Sequence, residues 1–426
     1  MNRQIMRLAV PALGTLAADP LVSLIDTAFV GRLGDEALGA LGVNGAIFAL
    51  AFFAFNFLAY GTTPLVAGAV GAGDRDRADR TITQAMVLAL VFGAVAVFVL
   101  EVGARWWVAG LQAPAEVVDE ALVYLRIRAL AAPAVLMIIA ANGAFRGYQD
   151  TVTPLRVTVG LNIVNLVLDP VLIFGLGWGV AGAATATAVA QWLGALWFVW
   201  LLRGSWLGIK TVRRHEMIAF LQIGWTISVR TASLLVALAV ATATAGRIGT
   251  EAVAAHQVIM QLWLLLALTV DALAVAGQAL VGRYVGEGNP AAVEQIVRRL
   301  AGFGLAAGVV LSGVLMAVRP FLGAWFGIDG AVESMAVGVL PLVAAIQPLG
   351  ALLFVGDGVY LGAARFRFLA WGTAAAATAA IPVMVVWGVT RTDLIGVWIG
   401  MSVLLAVRVI PQVLDHAWRG SVTLTV

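Results

Sequence analysis

The chain contains no cysteine, a single lysine (Lys210) and three histidines in 426 residues. Without cysteine there is no disulfide framework, no thiolate metal site and no thiol catalysis. The lone lysine removes the phosphate grip of a Walker A loop. Gly208-Ile209-Lys210-Thr211 lacks the glycine-lysine pair, so ATP hydrolysis by this chain is not expected. Charge is scarce too: Asp, Glu, Lys and Arg make up 12% of residues, against about 25% in soluble domains. Hydrophobic residues reach 62%, and mean hydropathy is +0.99. Such a chain is a polytopic membrane protein whose first partner is the lipid bilayer. Its formal charge of +3, carried almost wholly by arginine, reads as a topology signal, and no nucleic-acid partner is expected. No cleavable signal or transit peptide is evident, because the first apolar span is too long and carries acids.

A membrane-crossing helix needs about 20 apolar residues, and that rule predicts about twelve spans. They lie near 5–30, 38–70, 82–104, 118–145, 155–175, 179–202, 216–245, 252–282, 296–318, 334–361, 368–389 and 394–414. With the N-terminus inside, roughly seventeen basic residues fall on cytoplasmic segments and about five on outer loops, a strong positive-inside bias. Both termini are therefore expected in the cytoplasm. The longest inner link, Arg203–Glu216, divides the chain into expected six-helix lobes at 1–204 and 205–426. The lobes are related by an offset of 215. Gly31-Arg32-Leu33-Gly34 falls on Gly246-Arg247-Ile248-Gly249, Leu65-Val66 on Leu280-Val281, and Pro133, Gly143 and Gly147 on Pro348, Gly358 and Gly362. Each half holds an even number of spans, so the repeats run parallel, and two lobes around a central cavity are expected.

Within the spans, polar residues are few. The first carries Asp19 and Asp26, seven residues apart and so on nearly one helix face, together with Pro11 and Pro20. A carboxylate at bilayer depth is costly unless protonated, paired or wetted, and each proline removes a backbone donor and can bend the helix. Counting about 1.5 Å per residue from the outer span ends puts Asp26, Asp169, Thr187 and Tyr124 at similar depths, with Asn165 one turn below Asp169. The five are expected to converge in the outer half of the first lobe. Their oxygens suit a proton or Na⁺, with Na⁺ held by Asp26, Asn165, Asp169 and Thr187; a packed polar core is the plainer alternative. In the second lobe Arg230 and Asp271 both sit near mid-membrane, and an ion pair between them is the plain reading. Asp357 follows the repeat from Asn142 and is expected to cap a helix break beside Gly356 and Gly358. Asp19, Asn142, Arg230, Asp271 and Asp357 form a possible additional polar cavity. Gly177-Trp178-Gly179-Val180-Ala181-Gly182 matches a dinucleotide pattern but lies between two apolar spans, so it reads as a tight turn. His256 reads as packing and His215 and His416 as interfacial, while Met260 and Trp263 fit a packed core. Tryptophans such as Trp106, Trp107, Trp192, Trp197, Trp200 and Trp206 read as interfacial anchors.

Taken together, these residues resemble the MATE (multidrug and toxic compound extrusion) family, in its DinF-type branch. Carrying the resemblance are Ile25-Asp26-Thr27, Leu168-Asp169-Pro170 running into Gly179-Val180-Ala181-Gly182, Ala254-Ala255-His256-Gln257, Gln261-Leu262-Trp263, Asp271, Gln278-Ala279-Leu280-Val281-Gly282 and Asp357-Gly358. The resemblance implies an all-α, twelve-helix transporter that exports organic, often cationic or amphiphilic, small molecules against an inward H⁺ or Na⁺ gradient, with no cofactor. It makes Asp26 the coupling acid, Asn165, Asp169, Thr187 and Tyr124 its partners, and Pro11 the bend of the first helix. The NorM-type branch places coupling acids in the second lobe, a pattern not cleanly present here. A lipid or lipid-linked oligosaccharide flippase of the same superfamily is the alternative, but it is expected to need a basic cavity. A membrane scaffold has no reason to keep converging carboxylates, and no Ser/Lys dyad or His/Glu cluster suggests an intramembrane enzyme. A monomer in a prokaryotic cytoplasmic (inner) membrane is expected.

Overall fold

Apolar runs of this length satisfy their backbone in a bilayer by forming α-helices, and the computed structural model is helical almost throughout. It describes residues 1–205, 213–391 and 393–419; the side chains of Asp19, Ala54, Val389, Arg391 and residues 416–419 lie outside the description, as does all of Lys210. The helices are α1 (Asn2–Val30), α2 (Asp35–Phe53), α3 (Phe57–Gly71), α4 (Arg75–Val102), α5 (Ala104–Gly110), α6 (Ala115–Ala129), α7 (Ala132–Gly147), α8 (Val152–Pro170) and α9 (Gly179–Leu201). They continue with α10 (Arg214–Ile248), α11 (Thr250–Gly286), α12 (Pro290–Val318), α13 (Leu322–Phe326), α14 (Gly330–Gly362), α15 (Phe366–Arg391) and α16 (Leu394–Arg419). Among the described residues, eleven stretches are long and apolar enough to cross a membrane, and α6 with α7, bent by 51°, supplies a twelfth if the pair is one span. That bend falls just ahead of Pro133, whose ring cannot continue a hydrogen-bonded ladder. Helix α1, by contrast, stays helical through both Pro11 and Pro20.

Two compact units are present: Val10–Gly224, and Met1–Ala9 with Trp225–Val426. Their boundaries fall inside α1 and α10 rather than in the link at 203–216. The reason lies at the start of α10. Glu216 there bonds Gln84 at 2.5 Å and bridges Arg80 at 3.7 Å, and Phe220 packs against Gly61. The first turns of α10 therefore belong to the first unit.

Each unit repeats the other's close contacts at the same offset. Asp74 caps α4 by accepting from the Arg77 N–H at 2.9 Å; Asn289 caps α12 by accepting from the Ala292 N–H at 3.0 Å. A Cβ on Gly93 would lie 2.3 Å from Pro133 Cα, and one on Gly308 would lie 2.5 Å from Pro348 Cα. Gly143 abuts Ala59, and Gly358 abuts Ala274, where an added Cβ would stand 2.9 and 2.3 Å from the facing carbonyl oxygens. Between apolar helices in lipid, such small-residue crossings let backbones approach and supply packing energy that the solvent does not. The glycine run at 177–182 is a turn into α9, as the sequence suggested. Gly177 and Gly179 adopt positive φ of 69° and 53°, and Gly182 sits against the Leu172 backbone.

Candidate functional site

Four helices of the first unit turn polar pairs onto one face. Residues three or four apart stand one above the other on a helix. α1 offers Ser23 and Asp26, α6 Tyr124 and Arg128, α8 Asn165 and Asp169, and α9 Thr187 and Gln191. One direct bond ties α6 to α9, Arg128 Nη1 donating to Gln191 Oε1 at 2.7 Å, and one turn away Tyr124 lies beside the Thr187 side chain. Asn165 Nδ2 reaches Thr187 Oγ1 at 3.4 Å, while that hydroxyl donates to the Ala183 carbonyl at 3.0 Å. Ser23, Asp26, Arg128, Asn162, Asn165, Thr187 and Gln191, with a few apolar neighbours, line a cavity of about 270 Å³. Asp169 and Tyr124 stand behind this wall at 1% and 6% exposure.

The Asp26 and Asp169 carboxyls face each other within hydrogen-bonding reach. Among the described residues, no N–H or hydroxyl donor reaches either Asp169 oxygen or Asp26 Oδ1. Two carboxyls so placed can share a hydrogen bond only with a proton between them, or lie together around a bound cation. The Arg128 guanidinium acts on Asp26 through its charge and lies 5.3 Å from the Phe48 ring centroid. All five residues that depth counting grouped thus fall in one neighbourhood.

The second unit supplies an internal comparison. Adding 215 to Asp26, Tyr124, Arg128, Asn165 and Asp169 gives Ala241, Val339, Val343, Ala380 and Met384. All five belong to one apolar core and are at most 1% exposed. At these positions, the same scaffold packs without a polar group. Thr187 alone keeps its hydroxyl, as Ser402, which bonds its own helix at the Trp398 carbonyl.

The second unit has a polar cluster of its own, at other repeat positions. Asp357, 4% exposed, accepts from Arg230 Nη2 and Arg408 Nη2, both at 2.5 Å, and from Gln412 Nε2 at 2.9 Å. Arg230 therefore finds a partner on α14, a residue that depth counting had not offered it. Asp271, on α11, acts on Arg408 through its charge. The expectation that Asp357 caps a helix break is corrected: α14 runs unbroken from Gly330 to Gly362, and two guanidiniums occupy the carboxylate instead. Asn142, its counterpart in the first unit, is half-buried, and its Oδ1 has no partner among the described residues. His256 is fully buried; its Nε2 lies 3.3 Å from Thr242 Oγ1 and its ring packs on Trp398. Met260 and Trp263 lie in the apolar core. The expectations for Asp19, His416 and Trp206 fall outside the described side chains.

Sequence reasoning passed over Arg128, Gln191, Arg408 and Gln412. A signal was available for each. Tyr124/Arg128 and Thr187/Gln191 share one helical spacing. Arg408 and Gln412 share it too, inside an apolar span where an arginine is expensive.

The MatE family model matches residues 11–171 and again 226–386, two segments separated by the same 215. Over 435 residues the chain is 35% identical to Protein DETOXIFICATION 44, chloroplastic, of Arabidopsis thaliana, covering 98% of this chain and 82% of that protein. It is 28% identical over 421 residues to DNA damage-inducible protein F of Escherichia coli, covering 96% and 90% respectively. Among solved structures, a MOP superfamily transporter from Pyrococcus furiosus has the same fold, with a TM-score of 0.88 at 22% identity over 98% of this chain and 95% of that one.

Proposed function

The chain belongs to the MatE family, whose members are transporters rather than enzymes, and we propose that it is a secondary active multidrug efflux antiporter. It exports organic, cationic or amphiphilic compounds in exchange for H⁺ or Na⁺. The observation that carries this reading is the contrast between repeats: a carboxyl pair whose buried oxygens meet no N–H or hydroxyl donor among the described residues, beside a polar-lined cavity, stands where the other copy of the scaffold is plain core. A group that the fold does not need, and that is costly at bilayer depth, is supported by function.

The cycle follows from charge. With Asp26 and Asp169 unloaded, the cavity is acidic and attracts a cationic substrate. A proton or Na⁺ arriving from outside cancels that charge, weakens the hold on the substrate and makes a drier site affordable. Helix α1 then bends at Pro11 or Pro20, each of which has already removed a ladder hydrogen bond. The cavity of about 270 Å³ falls below the roughly 300–1,000 Å³ usual for drug-sized ligands, so in this conformation it suits an ion with water, and substrate entry needs α1 to move. The arginine bias supports both termini inside, and we take the protein to be a monomer in a cytoplasmic (inner) membrane.

The test is efflux of ethidium from proteoliposomes under a proton gradient alone and under a sodium gradient alone, for wild type and Asp26→Asn. Efflux under one gradient that is lost in the variant is expected. Undiminished exchange by Asp26→Asn at equal protein content would overturn the assignment of Asp26. No efflux under either gradient, from folded protein, would overturn the substrate class and point to lipid.

A further inference from the structure

The first-unit cavity holds one feature that the antiport cycle leaves unused, a fixed cation. Among the described residues, the charged or titratable groups facing the carboxyl pair are Asp26 on α1, Asp169 on α8, and Tyr124 and Arg128 on α6; α9 contributes the neutral Thr187 and Gln191. Arg128 is not a free arm. Its head group is held by Gln191 at 2.7 Å and by the Phe48 ring at 5.3 Å, so turning away would forfeit both contacts. Its positive charge therefore stays on the cavity wall.

A cavity of about 270 Å³ is roughly 8 Å across as a sphere, and two like charges that far apart at an effective dielectric constant of about 20 weaken each other's binding roughly thirtyfold. The penalty falls on any entering cation, but with unequal consequence. A proton bonds directly to a carboxyl oxygen, with an affinity that spans many decades of concentration, and survives such a loss by binding at a somewhat different pH. Na⁺ is a hard cation that depends on a cage of oxygens. It has little affinity in reserve, and here the Thr187 hydroxyl, one of its candidate ligands, already faces the Asn165 Nδ2 donor at 3.4 Å.

We propose that Arg128 is a specificity-determining residue that denies Na⁺ the Asp26–Asp169 site, so that the ion exchanged is the proton. The inference rests on the antiport reading and narrows its coupling ion. Arg128 touches neither ion in this scheme; it acts as a tethered competitor.

The test is equilibrium binding of ²²Na⁺ to the purified full-length protein in detergent, at mildly alkaline pH where proton competition is least. Wild type and Arg128→Lys are expected to show no saturable binding. Arg128→Gln is expected to gain it, tightened about tenfold or more, and Asp26→Asn in the same chain is expected to abolish the gain. Arg128→Met, which keeps the aliphatic stem against Phe48, serves if Gln disturbs the packing. Saturable binding in wild type equal to that of Arg128→Gln overturns the proposal, as does its absence from both charge-removing variants in folded, monodisperse protein. A structural role for Arg128 would not create sodium binding. Because the assay reads ion occupancy and not export, it can fail while efflux stands, and efflux can fail while it stands.

Discussion

Copying the second unit's residues into the first should abolish transport and leave the protein at least as stable. The perturbation is Asp26→Ala with Asp169→Met, reproducing Ala241 and Met384 at the equivalent repeat positions. Both Asp169 oxygens and Asp26 Oδ1 are buried without an N–H or hydroxyl donor among the described residues. An unsatisfied buried acceptor costs about 1–3 kcal/mol, and the shared proton relieves only part of that sum. The double variant removes the whole penalty. Against it stands the bulk of the incoming methionine, since overpacking costs about 1–3 kcal/mol, at the low end for so adaptable a side chain. The expected net change runs from zero to about 3 kcal/mol of added stability. Thermal denaturation of detergent-purified protein, followed by loss of the monodisperse size-exclusion peak, reads the stability; gradient-driven ethidium efflux reads the function. A loss of about 2 kcal/mol or more would show that the acids hold helices together, and would refute the reasoning from the repeat.

The second unit's acid should respond with the opposite sign. Asp357→Asn removes the carboxylate shared by Arg230 and Arg408 and should cost about 3–5 kcal/mol, and Arg408→Met less, because Arg230 still bridges Asp357. Replacing Asp357 and Arg408 together by leucine should recover part of the loss, and the rank order of denaturation temperatures checks all three. Gly143→Ala and Gly358→Ala drive a Cβ to 2.9 and 2.3 Å from facing carbonyl oxygens, so each should destabilise by at least about 1–3 kcal/mol, the second more. Gly313→Ala, with nothing within 4 Å, should be neutral or stabilising by up to about 1 kcal/mol in the same assay. The absence of native cysteine makes topology directly readable. Asp35→Cys should react with an impermeant maleimide in intact cells, and Asp76→Cys only after permeabilisation; the reverse pattern would invert the arginine-based orientation.

The spans were legible because a bilayer leaves a long apolar run only one way to satisfy its backbone. The convergence of Asp26, Asp169, Asn165, Thr187 and Tyr124 was legible because depth follows from counting residues inward from each span end. Counting gives height along the membrane normal and nothing about direction around the helix. Arg128 shows the difference. It lies in Tyr124-Leu125-Arg126-Ile127-Arg128, where Arg126 is exposed and Arg128 half-buried in the cavity wall. Only its spacing of four from Tyr124 separates the two. The bend between α6 and α7 deepened the problem, because a span read as straight from 118 to 145 misplaces whatever lies ahead of its break. Asp357 failed for a related reason: its partners Arg230 and Arg408 are 127 and 51 residues away, on separate helices, and no local pattern joins them.

What the duplicated scaffold adds is a way to separate packing from function without any second sequence. Where the copies agree, the residues are the small ones at helix crossings, Gly93 with Gly308, Gly143 with Gly358, and Pro133 with Pro348. Where they differ, the two polar clusters differ in how they are compensated. Asp357 stands at the position of Asn142, and its counter-ions Arg230 and Arg408 stand where the first unit has Thr15 and Leu193. A carboxylate and both of its guanidiniums are thus peculiar to one copy, as electrostatics requires of a buried charge that stays charged, since removing one partner strands the other. Asp26 and Asp169 are also peculiar to one copy, but they came with one nearby guanidinium, Arg128, for two carboxyls, and no N–H or hydroxyl donor among the described residues reaches either Asp169 oxygen or Asp26 Oδ1. One fixed cation leaves the second of two carboxylates to be balanced by something that comes and goes, and a transported ion is what a carrier has available for that purpose.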